Sequence, residues 1–367
     1  MAEYNALQNR LFKTITVDYA DVLERSEVFN QVDRIRTSIP MLNVALSGKI
    51  GGGLTAGVSL IAGPSRHFKS AFALICAAAY LNAYPDAVLV FFDSEFGSPI
   101  KYFTSVGIDT KRVIHVPVTT LESLRTEVTN IINETKRGDH VIFVADSIGN
   151  LASNKESKDA ADGKEAADFT RAKVIKSMFR IITPQLKLKN IPFIAIMHIY
   201  ETMEMYAKKI ISGGTGALLA ADTAFIIGKQ AEREDKEVVG YDFIINIDKS
   251  RFVKEKTKIP ITVSFAGGIM KWSGFFDLAV TGKFLTRSGK SYYSTLAGEN
   301  SQMYSRKELE NNGEFWKKFL TETAFAEWIE AQYALPEGSL ITEEVDAAAM
   351  VADAETIDFS EDELAAA

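Results

Sequence analysis

The chain has 367 residues, 47% hydrophobic and 24% charged, enough to bury one large core and a small appended lobe. A single cysteine excludes a disulfide framework or a cysteine zinc cluster, no apolar run approaches the ~20 residues that span a bilayer, and the opening stretch MAEYNALQNRLFKTITV lacks the layout of a signal peptide, so a cytoplasmic protein without membrane contact is expected. The net charge of −7 taken whole disfavours nucleic acid as a partner, but the charge is unevenly placed.

Residues 1–35 precede the core as an arm with its own apolar positions, Leu11, Phe12, Ile15 and Val17. A central region, residues 36–270, then alternates β-branched runs with helical periodicity. The expected strands are VSLIAG (58–63), AVLVFFD (87–93), RVIHVP (112–117), HVIFVAD (140–146), IPFIAIM (191–197) and DTAFIIG (222–228), and the expected helices cover 69–83, 120–137 and 169–183. Cys76 falls in the apolar run of the first helix and reads as core. Strands buried on both faces and separated by helices imply an α/β fold with a mostly parallel central sheet flanked by helices. YDFIINID (241–248) and IPITVSF (259–265) follow without a helix between them and extend the sheet antiparallel. Residues 271–336 form a small lobe rich in aromatics, among them Trp272, Phe275, Phe276, Trp316 and Trp328. The last segment, 337–367, holds ten acidic residues and no Lys or Arg, so removing ten negative charges from −7 leaves residues 1–336 at +3. Such a tail either keeps the protein soluble or acts as a polyanion that competes for a basic groove.

The stretch GPSRHFKS has the form of a phosphate-binding loop between a strand and a helix. Gly63, Pro64, Ser65, Arg66, His67 and Phe68 would wrap the phosphates, Lys69 would reach the outer ones, and the Ser70 hydroxyl would hold Mg²⁺. Phe68 stands where the pattern has glycine; it keeps its N–H, and its ring is expected to turn away from the nucleotide and pack into the protein. Alone the match is degenerate, because Gly-Pro-Ser and Lys-Ser also occur in ordinary loops. Two further strand ends strengthen it: Asp146 is placed to hold Mg²⁺ through water, and Asp93 and Glu95 follow another strand, with Glu95 suited to activating a water. All three lie at the carboxyl ends of expected parallel strands, where open α/β sheets bind ligands.

Two segments offer a surface for nucleic acid. Residues 153–168, SNKESKDAADGKEAAD, are polar and too long for an idle connector. Residues 199–216 mix the cations Lys208 and Lys209 with Met203, Met205 and Tyr206, then the pair Gly213 and Gly214 followed by Thr215. Cations track a phosphate backbone while apolar side chains stack on bases without reading sequence. On its own this second segment serves equally as an amphipathic hairpin or a lid.

In order, GPSRHFKS, FFDSEFGSPIKY, VIFVADSIGNLAS, IAIMHIYETMEM with ISGGTG, and INIDKSR resemble the RecA recombinase family, and within it the UvsX recombinases of T-even-type bacteriophages, across residues from about 30 to 270. The resemblance implies a RecA-type P-loop ATPase core using ATP and Mg²⁺, with Lys69, Ser70 and Asp146 on nucleotide and metal and Glu95 as the catalytic glutamate. It implies that Tyr102 stacks on adenine, although Pro99 replaces the acidic residue found three positions earlier in RecA. His198 takes the place of a glutamine that senses the γ-phosphate, and Lys249 and Arg251 match basic residues presented to the ATP of a neighbouring copy. The two polar segments coincide with the family's DNA-binding loops, with Arg171, Lys173 and Lys176 on the following helix as further phosphate contacts. The expected function is an ATP-dependent DNA strand-exchange recombinase that forms a helical filament of its own copies on single-stranded DNA and pairs it with homologous double-stranded DNA. Mediator and single-strand-binding proteins are expected to load it, in the cytoplasm of an infected bacterial host cell. The alternatives are a RecA-fold hexameric helicase or translocase and an ATP-gated single-strand-binding scaffold.

Overall fold

The computed structural model describes residues 5–30, 33–164, 170–201, 209–234, 237–296 and 302–336, so the acidic tail lies outside the described residues. In chain order the strands are β1 (Gly57–Ala62), β2 (Val88–Asp93), β3 (Val113–Pro117), β4 (Val141–Asp146), β5 (Pro192–Met197), β6 (Ile199–Glu201), β7 (Lys209–Ile211), β8 (Thr223–Glu234), β9 (Glu237–Ser250), β10 (Lys258–Ser264), β11 (Gly268–Ile269), β12 (Leu285–Ser288), β13 (Ser291–Ser294) and β14 (Met303–Tyr304). The helices are α1 (Ala6–Phe12), α2 (Glu27–Asn30), α3 (Pro40–Ser47), α4 (Lys69–Ala83), α5 (Ile100–Ser105), α6 (Leu121–Glu134), α7 (Asn154–Ala161), α8 (Thr170–Leu188), α9 (Thr215–Ala220), α10 (Phe275–Thr281), α11 (Arg306–Asn311), α12 (Gly313–Glu322) and α13 (Phe325–Tyr333).

Nine strands form one sheet in the order β11-β10-β9-β8-β1-β5-β4-β2-β3. The six from β8 to β3 run parallel, and β9, β10 and β11 are added antiparallel, as the run of strands without helices required. Alternate residues of the central strands feed two separate cores. Leu89, Phe91, Ile142, Val144, Ile194 and Ile196 pack with α3 and α4 on one face. Val90, Phe92, Phe143, Ala145, Phe193 and Ala195 pack with α6 and α8 on the other. Each fully buried Leu, Ile or Phe contributes about 1.5–3 kcal/mol, so the continuous apolar runs follow from two-sided burial. Cys76 sits in the first of these cores, where burial pushes its thiol up to about 12. That cluster also takes in Phe275, Trp316, Phe319 and Phe325 from the C-terminal helices.

Four elements, α7, α8, β8 and β9, depart from the expected pattern. α8 does not stop at 183 but runs through Pro184 to Leu188. The proline costs the helix about 3 kcal/mol or more, and full burial of Leu186 together with Ile182 on the same face works against that cost. The polar segment after β4 begins as helix α7, started by a capping box in which the Ser153 hydroxyl accepts from the Glu156 N–H. β8 and β9 are longer than their apolar cores because they form a hairpin that continues to Glu234 and Glu237. At the amino end, α1 buries none of its residues, and Leu7, Leu11, Ile15 and Val17 are exposed. The Arg137 guanidinium ties the next stretch to the core by donating to the carbonyls of Glu27 and Leu188, both at 2.6 Å. Among the described residues no helix is long and apolar enough to cross a membrane.

Candidate functional site

The carboxyl ends of β1, β2, β4 and β5 meet at one edge of the sheet. The register pairs Asp93 with Asp146 and Ala62 with Met197, so Gly63, Asp93, Asp146 and His198 emerge side by side. They open into a cleft of about 1390 Å³ whose walls include Ser65 to Ser70, Glu95, Tyr102, Asp146 and His198.

Phe68 adopts φ +57° and ψ 17°, the left-handed conformation for which glycine is normally used, as the residue that starts α4. A side chain there costs about 1–2 kcal/mol. Its ring packs 4.7 Å from that of Phe243 and 6.5 Å from that of Phe72, while 38% of the residue stays exposed along the cleft wall. The loop therefore keeps the path of a glycine-containing one, with an aromatic contact set against the strain.

Lys69 is buried, and its ammonium donates to the Pro64 carbonyl at 2.7 Å. Burial lowers its pKa, and the Glu95 and Asp146 carboxylates oppose that shift. The Ser70 hydroxyl donates to Asp146 Oδ2 at 2.6 Å. Burial pushes the Asp146 carboxyl up to about 6; the Ser70 hydrogen bond opposes the rise, while the charges of Glu95 and Asp93 add to it. A cation beside Ser70 and Asp146 would relieve this crowding of negative charge. Among the described residues no group of three or more His, Cys, Asp or Glu side chains could hold a metal. Two oxygens are instead the anchor suited to Mg²⁺, which keeps several waters and takes its remaining ligands from phosphates.

Asp93 shapes the turn after β2. Its Oδ1 accepts from the N–H groups of Glu95 (3.1 Å) and Phe96 (2.7 Å), which swings Glu95 toward the cleft. Glu95 Oε1 accepts from Ser147 Oγ at 2.6 Å and Asn150 Nδ2 at 2.8 Å, and lies 3.1 Å from His198 Nε2. Gly149 makes the closeness of His198 possible, since a Cβ there would lie 2.5 Å from His198 Cδ2 and 2.7 Å from its backbone nitrogen. Ser147, Gly149 and Asn150 were not singled out from the sequence; the signal was the polar and glycine character of SIGN directly after a strand-end aspartate.

Among the other residues named from the sequence, one more lines the cleft. Tyr102 stands on α5 in the cleft wall, half exposed. Lys249 and Arg251 do not line the cleft. The Lys249 ammonium donates to the carbonyls of Leu218 and Leu219, each at 2.9 Å, and burial, then the nearby Arg251 charge, lowers its pKa. Arg251 Nε lies 2.7 Å from Asp222 Oδ1 without an aligned hydrogen bond, while Lys187 pairs with the other oxygen at 2.9 Å. Lys173 and Lys176 are exposed on α8. Arg171, at the start of the same helix, donates to the Gly149 carbonyl and to that of Leu151 at 3.0 Å. Gly213 and Gly214 take φ +94° and +76° in the turn from the exposed Lys209 of β7 to Thr215 at the start of α9. Met203, Met205, Tyr206 and Lys208 lie outside the described residues.

No protein-family model matches the chain. The recombination and repair protein of Enterobacteria phage T4 is 43% identical over 350 residues, covering 93% of this chain and 90% of that protein. The chain belongs to the family of that phage protein. In this member of the family, one sheet edge thus combines a buried ammonium, a hydroxyl paired with a carboxylate, and a second carboxylate held through one of its two oxygens.

Proposed function

We propose that the chain is an ATP-dependent recombinase of the RecA type, acting in DNA recombination and repair in the host cytoplasm. The Ser70–Asp146 pair beside Lys69, with Glu95 on the adjoining strand end, carries this reading. Kinship with a phage protein named for recombination and repair supports it. In this account the loop from Gly63 to Phe68 wraps the phosphates, Lys69 neutralises the outer ones, Ser70 and Asp146 hold Mg²⁺, and Tyr102 stacks on the adenine. Bound ATP supplies the phosphoanhydride bond whose cleavage resets the protein. Glu95 takes the proton of the attacking water, while Ser147 and His198 steady its carboxylate.

Lys249 and Arg251 would leave their present partners and reach the nucleotide of an adjacent copy, stabilising charge on the transferred phosphoryl group as arginine fingers do. Hydrolysis then requires a filament, in which residues 1–35 dock on the neighbouring core. Arg171, Lys173 and Lys176, with the segments 153–168 and 199–216, contact the DNA backbone and bases of single-stranded DNA. Base pairing with the homologous duplex reads the sequence, and ATP favours the filament state that grips DNA. Mediator and single-strand-binding proteins would load it.

Phosphate release with and without single-stranded DNA, for the natural protein and Glu95→Gln, tests the proposal. DNA-stimulated hydrolysis that falls at least about 100-fold in the variant, with nucleotide binding retained, is expected. Absence of hydrolysis in the natural protein, or full turnover by the variant, would overturn it.

A further inference from the structure

We propose that Asn150 is a positioning residue for Glu95 and that Arg171 makes this positioning respond to DNA, an inference that rests on the recombinase reading above. Three groups converge on Glu95 Oε1: Ser147 Oγ at 2.6 Å, Asn150 Nδ2 at 2.8 Å and His198 Nε2 at 3.1 Å. Ser147 and His198 follow directly on the ends of β4 and β5. Asn150 is exposed and stands on a single 3₁₀ turn, Ile148–Asn150. A single turn of this kind has few backbone bonds of its own and depends on outside contacts for its place.

Beside the burial of Ile148 and Leu151 in the core, Arg171 supplies two of those contacts. Its guanidinium donates to the carbonyls of Gly149 and Leu151, the residues on either side of Asn150. Gly149 is in turn pressed against His198, so the turn cannot shift without changing the partners of Glu95. Arg171 is also the second residue of α8, next to the polar segment proposed to meet DNA. A phosphate offers the guanidinium fork an opposite charge and a bidentate geometry, neither of which a neutral carbonyl supplies. A DNA phosphate within reach therefore draws Arg171 from Gly149 and Leu151, and the two positions of one guanidinium are the two states of the relay. Once the clip is released the turn relaxes, the Asn150 amide withdraws, and the Glu95 carboxylate loses one anchor and gains freedom to rotate toward the attacking water. Without DNA, Asn150 and Arg171 hold the glutamate back.

Hydrolysis of ATP by the full chain, with and without single-stranded DNA, tests this in Asn150→Ala and Arg171→Lys, with Asn150→Asp as a shape-preserving second variant. Loss of the Asn150 amide is expected to raise the DNA-free rate about tenfold and to shrink the ratio of DNA-stimulated to DNA-free rates, with the affinities for a fluorescent ATP analogue and for an oligonucleotide unchanged. Arg171→Lys is expected to raise the DNA-free rate in the same direction and, in addition, to weaken oligonucleotide binding. A merely structural Asn150 would leave the stimulation ratio where it is. A DNA-stimulated natural protein with an unaltered or lowered DNA-free rate in both Asn150 variants overturns the relay and leaves the recombinase reading standing. A natural protein without any ATP hydrolysis overturns both.

Discussion

Replacement of Asp146 by asparagine should make the nucleotide-free protein more stable while removing its hold on Mg²⁺. Burial raises this carboxyl from an ordinary 3.8 to about 6, so the folded chain binds its proton more tightly than the unfolded chain does. The stability that Asp146 contributes is therefore largest below about pH 4 and is lost as the pH rises through about 6, the order reversed from that of a salt-bridged aspartate. At about 1.36 kcal/mol for each tenfold change in proton affinity, the cost of ionising it in the empty site reaches about 3 kcal/mol by pH 8. The asparagine of the variant would keep an oxygen to accept the Ser70 hydroxyl and would carry no charge to desolvate. With an unfolding entropy of about 2.1 cal/mol/K per residue across Met1–Leu335, that difference corresponds to a melting temperature higher by about 4 °C. The advantage of the variant should widen by about 1 kcal/mol between pH 5 and pH 8. Urea or thermal unfolding of both proteins without nucleotide, across that range, measures it, and Mg²⁺–ATP should then stabilise only the natural protein. A variant no more stable at pH 8, or a gap that does not change with pH, would refute the burial argument.

At position 68 the strained backbone and the aromatic contact act in opposite directions. Phe68→Gly relieves the first and loses the second, so its unfolding free energy should lie within about 1 kcal/mol of the natural protein. Phe68→Ala keeps a Cβ at positive φ and loses the ring, so it should be the less stable of the two by about 1 kcal/mol in urea unfolding; the opposite ranking would contradict the assignment. Gly149→Ala should lower DNA-stimulated hydrolysis at least about tenfold and destabilise the fold by about 1–3 kcal/mol, because its Cβ displaces His198; normal turnover would show that the two residues can separate freely. Neutral replacement of Lys249 or Arg251 should leave binding of a fluorescent ATP analogue intact and abolish DNA stimulation, and unchanged turnover would exclude their service to a neighbouring site.

The central strands were legible because burial on both faces leaves runs such as VLVFF and VIFVA, and the antiparallel additions because no helix separates β8, β9 and β10. Their lateral order was not, since β1 lies between β5 and β8 through contacts made between segments more than a hundred residues apart. α7 escaped notice because none of its residues is buried and no apolar stripe announces it; its capping box alone was readable. The places of Lys69 and Ser70 at the start of a helix, and of Glu95 and Asp146 at strand ends, were legible from the order of the elements. Ser147, Gly149 and Asn150 could not, because what they do is defined by Glu95 and His198, which come from distant strands. Arg171 was singled out for its charge, yet its guanidinium is engaged with the backbone of the turn beside Glu95, a role that charge alone does not reveal.

Electron microscopy of the protein mixed with single-stranded DNA tests most directly whether nucleotide held between adjacent copies governs the grip on DNA. With a non-hydrolysable ATP analogue, regular helical filaments are expected along the strand, and exchange into ADP should dissolve them. Protein that stays unassembled on DNA whichever nucleotide is bound would contradict the central claim.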